Sequence, residues 1–383
     1  MSIKNNKICV LGAAGAIGSH LVTSLHKQGY EVTAVIRSWS SAVRIGRYQI
    51  KLVSMDLLKT SVDDLSDVVA GHDIVIDCTY SKNTDYQSRI DESRQLAQLI
   101  CNAALKAKVK QVIHYGTISV YPAEGGCVNE TTVCQNSGDS YGDSKLAAEQ
   151  VFLQSHSHEL AITVLQLPIV FGPFMGWTTE PISQMLAQEL LIPDDLKGHC
   201  APLFVDDVVK GTVLAFNCSA AFGQRILLSD KNMSWHDYYS AYADLSSSLQ
   251  IASITRDEYN QRDGIQKRSI KPFQNLKQKF MDDGEFRQLV LAQWGVRSLY
   301  GLVKRLRGQN GVDAIKQKIA STVQSNNECK QVLLNSQTVE LFDSLPKVDP
   351  SKASEILGFD QYTDFSIALS TTKDWLKWAR LLN

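Results

Sequence analysis

The sequence predicts an α/β protein with a doubly wound parallel sheet and a smaller, mostly helical C-terminal lobe. Two observations support this prediction. Short apolar segments alternate with helical segments from residue 8 to about residue 228, and a glycine-rich turn follows the first apolar segment. Such alternation is typical of a parallel sheet covered by helices on both faces. Beyond Pro173 the alternation gives way to mainly helical patterns, which indicates the second lobe.

The first apolar segment, Ile8 to Leu11, runs into Gly12-Ala-Ala-Gly15-Ala-Ile-Gly18 and a helical stretch from Ser19 to Lys27. In this context the first glycine allows a tight turn, and the second lets a pyrophosphate approach backbone N–H groups. The third lets the helix and the strand pack closely. The turn therefore predicts a dinucleotide site, with an ordinary strand–helix turn as the alternative.

The remaining elements follow from the apolar period and from the breaking residues. Strands are predicted at Tyr30–Ile36, Lys51–Met55, Asp73–Asp77, Val109–Tyr115, Ile162–Leu167 and Arg225–Leu228. Helices are predicted at Ser93–Lys108, Ser140–Ser155 and Ile182–Leu191, and another begins at Phe204.

The residue after the second predicted strand informs the choice of cofactor. An acid there accepts hydrogen bonds from the adenosine ribose, whereas a guanidinium pairs with a 2′-phosphate. This chain has Arg37 and Ser38, with Arg44 further along. We therefore expect NADP(H) to be preferred and NAD(H) to be accepted. In the alternative interpretation Arg37 lies on the surface and the pocket takes either cofactor.

Tyr141 and Lys145 belong to the stretch Tyr141-Gly-Asp-Ser-Lys145, so a helix would place both on one face. A phenol has an unperturbed pKa of about 10, and a nearby ammonium group lowers the pKa of a phenol. Thr117, at the end of a predicted strand, would hold the oxygen of a substrate. The trio predicts proton transfer while a nicotinamide carries hydride. A chance Tyr–Lys pair on a solvated helix face is the alternative.

Composition gives little reason to expect other classes of partner. The net charge of −1 does not point to nucleic acid. Eight cysteines without a Cys-x-x-Cys pair indicate reduced thiols, and the sequence has no metal-ligand cluster. No apolar run would span a bilayer, and the N-terminus lacks the apolar segment of a secretory signal. We expect a cytoplasmic protein that binds neither nucleic acid nor metal.

Six sequence blocks in this order resemble the extended short-chain dehydrogenase/reductases, which include sugar-nucleotide epimerases, dehydratases and ketoreductases. The blocks are Gly12 to Gly18, Asp56-Leu57, Thr117-Ile-Ser-Val-Tyr-Pro122, Tyr141 to Lys145, Leu167-Pro-Ile-Val-Phe-Gly-Pro173 and Phe204-Val-Asp-Asp207, with Val348 to Gly358 and Asp374-Trp375 matching near the C-terminus. The resemblance implies a Rossmann fold, with Tyr141 as acid/base, Lys145 also on the nicotinamide ribose, and Thr117 polarising the substrate oxygen.

The predicted site follows from these blocks together. The cofactor contacts are Gly12, Ala14, Gly15, Ala16, Ile17, Arg37, Ser38, Asp56, Leu57, Thr79, Tyr80, Ser81, Tyr141, Lys145, Pro168 and Val170. The substrate contacts are Ser119, Phe174, Trp177, Gln184 and Phe204. Residues 1–172, joined by about 202–228, form the predicted cofactor-binding domain. Residues 173–201 and 229–383 form the predicted substrate-binding lobe.

Departures from the family pattern narrow the predicted reaction. Similar 4,6-dehydratases carry an Asp-Glu pair after the Thr117 position, where this chain has Ile118-Ser119, so dehydration is not expected. The family usually has a His-x-Ala-Ala-like segment where this chain has Asp77-Cys-Thr-Tyr-Ser81. It also usually has Asn where Asp91 stands at a predicted helix start, and we interpret Asp91 as a helix N-cap.

The expected activity is reduction of a keto group of a nucleotide-activated sugar, or its epimerisation. Two alternatives stay open. One is oxidation or reduction of an apolar ring alcohol resembling a steroid or flavonoid, and the other is a non-catalytic NADP(H) sensor. The resemblance also implies a homodimer that forms through the helices carrying Asp91 and Tyr141.

A basic insertion at residues 265–330 has thirteen Lys or Arg against five Asp or Glu. Within it, residues 285–307 read as a basic amphipathic helix with Trp294 and Tyr300. Such a helix suits a lid or a packing surface, and a peripheral membrane contact is the second interpretation.

Overall fold

The computed structural model describes residues 6–122, 126–186, 188–269 and 330–382. The strands are β1 (Lys7–Leu11), β2 (Glu31–Ile36), β3 (Lys51–Ser54), β4 (Ile74–Asp77), β5 (Gln111–Thr117), β6 (Cys127–Val128), β7 (Ala161–Leu167), β8 (Ile169–Phe171), β9 (Gln188–Pro193), β10 (His199–Cys200), β11 (Pro202–Phe204), β12 (Gln224–Leu227), β13 (Met233–Ser234), β14 (Gln250–Ile254), β15 (Lys330–Leu333) and β16 (Lys347–Val348).

The helices of the described residues begin and end close to turn and cap residues. They are α1 (Ala16–Lys27), α2 (Val62–Val69), α3 (Tyr86–Lys106), α4 (Ser140–Gln154), α5 (Gly176–Met185), α6 (Val205–Leu214), α7 (Trp235–Ala243), α8 (Arg256–Ser269), α9 (Ser336–Ser344), α10 (Ser351–Leu357) and α11 (Phe365–Trp378).

The central sheet is parallel and has the strand order β12-β7-β5-β4-β1-β2-β3. The chain reverses its winding between β1 and β4, and ligands of such sheets bind at the carboxyl ends of the strands at this point. Buried side chains of the sheet and of α2, α3 and α4 form a continuous apolar core. The Rossmann fold predicted from the sequence is confirmed.

The chain divides into two compact units. The first comprises Met1–Ser183, Leu196–Ser246 and Gln337–Asn383, and the second comprises Gln184–Asp195 and Ser247–Ser336. The second unit contains a three-stranded parallel sheet in the order β14-β9-β15. The predicted split into a cofactor-binding domain and a substrate-binding lobe concerns function and stays a prediction. The predicted helix at 285–307 and most of the basic insertion lie outside the described residues.

The predicted helix at Ile182–Leu191 is wrong. Helix α5 ends at Met185, and Gln188–Pro193 is strand β9, which hydrogen-bonds to a strand on each side. A short apolar run such as Leu190-Leu-Ile-Pro193 fits a buried strand as well as a helix. Pairing with chain segments far away in sequence decides between them, which local periodicity does not reveal.

The predicted start of α3 and the role of Asp91 are also wrong. The helix begins at Tyr86, and its N-cap is Asp85, whose carboxylate accepts a 2.9 Å hydrogen bond from the Ser88 N–H. Asp91 lies inside the helix, where it accepts a hydrogen bond from Gln87 Nε2 at 3.0 Å. An aspartate six residues earlier therefore performs the capping that the sequence interpretation gave to Asp91.

The turn after β1 has no room for a side chain at Gly12. This glycine has φ +73°, and a Cβ built on it would lie 2.9 Å from the carbonyl oxygen of Cys78. At Gly18, a Cβ would lie 2.5 Å from the carbonyl oxygen of Gly12. The two glycines thus let β1, β4 and α1 approach one another closely.

We expect Gly12→Ala to lower the free energy of unfolding by about 2–3 kcal/mol, because left-handed strain of about 1–2 kcal/mol adds to the displacement of Cys78. The matched control is Gly29→Ala, at φ +89° with no atom within 4 Å, where only the strain of about 1–2 kcal/mol applies. Urea unfolding measures both. Equal losses in the two variants would contradict the close approach at Gly12.

Candidate active site

The glycine turn leads into the N-terminus of α1 with no side-chain cap. Gly15 is the N-cap residue and is exposed, while Ala14, Ala16 and Ile17 are partly exposed around it. First-turn N–H groups of a helix lack intrahelical acceptors, and the helix dipole favours an anion there. This part of the chain has the geometry that a dinucleotide pyrophosphate needs, and its role as the binding site stays a prediction.

Arg37 and Asp56 lie together where the adenosine end of a dinucleotide is expected. The Arg37 Nη2 atom is 3.6 Å from Asp56 Oδ2, and the Arg37 side chain is 68% exposed. Ser38 Oγ shares a 2.9 Å hydrogen bond with Ser40 Oγ, and Leu57 is buried. Arg37 is thus reachable by a phosphate but already has a carboxylate partner.

Arg44, seven residues after Arg37 in sequence, stacks on an aromatic ring. Its guanidinium carbon lies 4.8 Å from the centre of the Phe174 ring, and burial lowers the pKa of Arg44. No acidic side chain of the described residues forms an ion pair with it. Phe174 has φ +66°, a strained conformation for a bulky residue, and its ring also contacts Trp375. Strain of this kind is found where a side chain must be held in one place.

Thr117 and Tyr141 meet at the carboxyl edge of the sheet. Thr117 ends β5, and Tyr141 is the second residue of α4, which is capped by Asp139. Burial raises the pKa of Tyr141, whereas its hydrogen bond with Thr117 lowers it. Thr117 Oγ1 also donates to Ser119 Oγ at 3.3 Å. The structure therefore brings Thr117, Ser119 and Tyr141 together.

Lys145 lies one turn after Tyr141 and is only 7% exposed. Burial lowers the pKa of Lys145, and the charges of Asp77 and Glu149 oppose this shift. Asp77 accepts hydrogen bonds from His114 Nδ1 at 2.7 Å and from the Thr79 hydroxyl at 2.6 Å. Lys145 is thus a buried ammonium group that faces carboxylates.

Arg89, on α3, is a site residue that the sequence interpretation missed. Its guanidinium lies 5.9 Å from the centre of the Tyr141 ring and donates to Ser140 Oγ at 3.0 Å and to the Ser81 carbonyl at 3.3 Å. The positive charge of Arg89 lowers the pKa of Tyr141, an effect smaller than that of burial or of Thr117. The sequence signal for Arg89 is an arginine one turn after the N-cap Asp85. The sequence analysis missed it because the predicted helix began at Ser93.

The sequence expectation that Lys145 gives Tyr141 a low pKa is not what the structure shows. The pKa of Tyr141 is raised, because burial outweighs the groups that lower it. Arg89 is the cation that acts on the phenol, whereas the charge of Lys145 acts on Asp77 and His114. Lys145 thus lies on the predicted helix face, but its electrostatic partners differ from the predicted one.

The remaining predicted cofactor residues lie around the ends of β4 and β7. Tyr80 is 51% exposed, and the Ser81 hydroxyl donates to Glu92 at 2.5 Å. Val170, in β8, is 7% exposed, and Pro168 is buried between β7 and β8. Their roles in cofactor binding stay predictions.

The predicted substrate residues do not form one group. Trp177 is half-buried, its ring centre is 5.8 Å from that of Trp235, and its carbonyl accepts from Tyr238. Phe204 is buried with its ring centre 5.6 Å from that of Phe171. Gln184 belongs to the second compact unit. Their contact with a substrate stays a prediction, and the contacts shown for Trp177 and Phe204 are core contacts.

The described residues contain no group of three His, Cys, Asp or Glu side chains that could hold a metal ion. Nor does this part of the chain contain a helix long and apolar enough to cross a membrane.

The parallel sheet and the uncapped glycine turn are those of an oxidoreductase that uses a nicotinamide dinucleotide. Residues 8–226 match the NAD dependent epimerase/dehydratase family, and the chain belongs to that family.

Three similar proteins illustrate its range. Cinnamoyl-CoA reductase 2 of Arabidopsis thaliana is 24% identical and covers 80% of this chain and 94% of its own length. Dihydroflavonol 4-reductase of Dianthus caryophyllus is 23% identical, and the match covers 77% of this chain and 83% of the reductase. The third is a structure of UDP-glucuronic acid 4-epimerase from Bacillus cereus in complex with UDP-glucuronic acid and NAD. It has a TM-score of 0.65 at 20% identity, and the match covers 97% of this chain and 99% of the epimerase chain. The last similarity concerns the fold alone.

We expect Arg89→Met to raise the pKa of Tyr141, because a nearby cation favours the phenolate and its loss favours the phenol. NMR titration of ring-13C-labelled tyrosine measures this, with the Tyr141 signal identified by its loss in Tyr141→Phe. Arg94→Met is the matched control, since Arg94 is on the same helix but pairs with Asp91 at 3.5 Å. An unchanged Tyr141 titration in Arg89→Met would contradict the electrostatic role of Arg89.

Proposed function

We propose that this protein is an NADP(H)-dependent carbonyl reductase in which Tyr141 gives a proton to the oxygen that receives negative charge during hydride transfer. The observation that carries the proposal is that the Thr117 hydroxyl lowers the pKa of the Tyr141 phenol at the carboxyl edge of the sheet, while Lys145 is buried one helical turn further on. The nicotinamide, when bound, supplies the hydride. Every other step below belongs to this chain's residues.

Tyr141 would act as the general acid, and Thr117 would hold the substrate oxygen within reach of the phenol. A phenol is protonated at neutral pH and so has a proton to give. Because burial raises the pKa of Tyr141 and weakens it as an acid, stabilisation of the phenolate matters for the transfer. Arg89 would stabilise the phenolate that remains after transfer. Lys145 would bind the nicotinamide ribose, as the family resemblance implies.

The preference for NADP(H) rests on two cations in the segment that follows β2. Arg37 is exposed enough to meet a 2′-phosphate, and Arg44 is held against Phe174 without an acidic partner among the described residues. Asp56 opposes this preference, because its carboxylate already neutralises part of the Arg37 charge. Two cations against one carboxylate favour the phosphorylated cofactor, and NAD(H) remains a second substrate of the same pocket.

The first substrate class we propose is a nucleotide-activated keto sugar, in line with the fold of a neighbour that binds UDP-glucuronic acid. A second class is an apolar aryl or ring carbonyl. The names of the two reductases similar over more than three quarters of this chain favour it. Those two names also favour reduction over epimerisation.

Incubation with NADPH and a panel of both classes separates these possibilities. The panel contains nucleotide-4-keto sugars, an aromatic acyl-CoA thioester and a dihydroflavonol, and the nicotinamide absorbance is followed. Loss of NADPH with a reduced product supports a reductase. Isomerised product without net consumption of NADPH would indicate an epimerase instead.

We expect Tyr141→Phe to lower kcat by about 10²–10⁴-fold, the usual contribution of a general acid, while NADPH binding persists. Activity measurements on the substrate found in the panel, with fluorescence titration of NADPH, provide the test. Tyr86→Phe is a matched control that removes a hydroxyl bonded to Asp143 at 2.6 Å rather than to Thr117. Unchanged turnover in Tyr141→Phe would remove the catalytic assignment, and binding without turnover in the parent protein would favour a sensor.

We expect Arg37→Asp to weaken NADPH binding by about 10–100-fold, the effect of losing a charged hydrogen bond worth about 1.5–3 kcal/mol. NADH binding should not weaken, because NADH has no 2′-phosphate to repel. Arg47→Asp serves as the control, since it makes the same charge change where the guanidinium lies over Tyr48. Equal NADPH preference in Arg37→Asp and the parent would refute the cofactor argument.

A further inference from the structure

A small pocket that is also lined by the exposed Tyr80 borders Lys145. It has about 10 Å³ of space for the centre of a water molecule, close to what one buried water needs. Its polar lining includes Asp77, Thr79, His114 and Lys145, and its apolar lining includes Leu96 and Phe152. The cavity therefore brings together the buried ammonium group and an imidazole that the reaction above does not use.

His114 is buried in a defined protonation state. Burial, together with the charge of Lys145, lowers the pKa of His114 to about 4, so the ring is neutral near pH 7. Its Nδ1 atom lies 2.7 Å from Asp77 Oδ2, and an ionised carboxylate only accepts hydrogen bonds. The single ring proton is therefore on Nδ1, and Nε2 is a hydrogen-bond acceptor.

His114 Nε2 is fully buried and has no hydrogen-bond partner in the part of the chain that the structure describes. The ring cannot easily turn away, because it stacks on Phe152 with ring centres 4.3 Å apart and planes inclined by 23°. A buried acceptor without a donor costs about 1–3 kcal/mol. The cavity beside it can hold the missing donor.

Lys145 is the charged donor on this cavity. The groups that interact with it are the carboxylates of Asp77 and Glu149, the Cys78 thiol after β4 and His114 on β5. Helix α3 contributes Ser93 and apolar side chains to the lining. Burial opposes ionisation of Asp77, but the pKa of Asp77 is lowered by its hydrogen bonds with His114 and Thr79 together with the charge of Lys145.

We propose that Asp77, His114 and one water molecule in this cavity form a positioning device for Lys145. The water accepts a hydrogen bond from the Lys145 ammonium group and donates one to His114 Nε2. The Asp77 carboxylate orients the imidazole through Nδ1 and compensates the buried positive charge. The device keeps Lys145 charged and in one rotamer below Tyr141, and the inference rests on the role proposed above for Lys145.

The tautomer of His114 provides the first test, which compares the parent protein with one variant, both without substrate. Long-range 15N–1H NMR near pH 7 should show a protonated Nδ1 and an unprotonated Nε2, and the Nε2 signal should move in Lys145→Met. A protonated Nε2, or an Nε2 signal that ignores Lys145→Met, would overturn the proposal. This test needs no variant at Asp77 and so survives a misfolded Asp77 variant.

The titration of Lys145 provides the second test. With 13Cε-labelled lysine, the Lys145 signal should titrate at lower pH in Asp77→Asn than in the parent, because the compensating anion is lost. His114→Asn, which retains an N–H for Asp77, should give a smaller downward shift. Tyr115→Phe is the control, since Tyr115 lies next to His114 on β5. The change removes a buried 2.7 Å hydrogen bond between Tyr115 and Thr212 of α6.

An unchanged Lys145 titration in a folded Asp77→Asn protein would refute the device, and a shift in Tyr115→Phe as large as in Asp77→Asn would do so too. Both tests use protein without substrate. Their failure is therefore distinct from failure of the proposed reduction, which is judged by turnover in the substrate panel.

Discussion

The candidate site depends on compensation of one buried positive charge. Lys145 is nearly inaccessible to solvent, and an uncompensated ion in that position would cost several kcal/mol. Asp77 comes from the end of β4 and Glu149 from the next turn of α4. Glu149 is itself held by Gln166 Nε2 at 3.1 and 3.2 Å and by Arg225. One helix and three strands of the sheet are thus joined through the charges around a single ammonium group.

The same arrangement separates the tasks of the cations around Tyr141. The charge of Lys145 interacts with the carboxylates of Asp77 and Glu149. Arg89, which belongs to α3, lies over the Tyr141 ring. Helix α4 is fixed against α3 by Asp143, which accepts hydrogen bonds from the Tyr86 hydroxyl and from the N–H groups of Ser137 and Gly138. The phenol is therefore held by neighbours on two helices and one strand, which is the preorganisation that proton transfer requires.

The structure gives a physical reason for one departure of this chain from its family pattern, the segment Asp77–Ser81. Asp77-Cys-Thr-Tyr-Ser81 replaces the usual His-x-Ala-Ala-like segment, and Asp77 receives its hydrogen bond from a histidine on the neighbouring strand. Thr79 adds its hydroxyl and its N–H to the same carboxylate. The altered segment thus places a carboxylate, rather than an imidazole, next to the buried ammonium group.

The sequence alone determined the features that depend on neighbours within one or two turns of chain. These are the strand–glycine turn–helix at Gly12, the helical spacing of Tyr141 and Lys145, and the delivery of Thr117 to the end of β5. Only the tertiary structure decided that Gln188–Pro193 is a strand, that Arg89 serves Tyr141, and that Asp77 meets His114. Hydrophobic period and turn chemistry are encoded locally, whereas strand pairing and charge compensation arise through space between residues that the fold alone brings together.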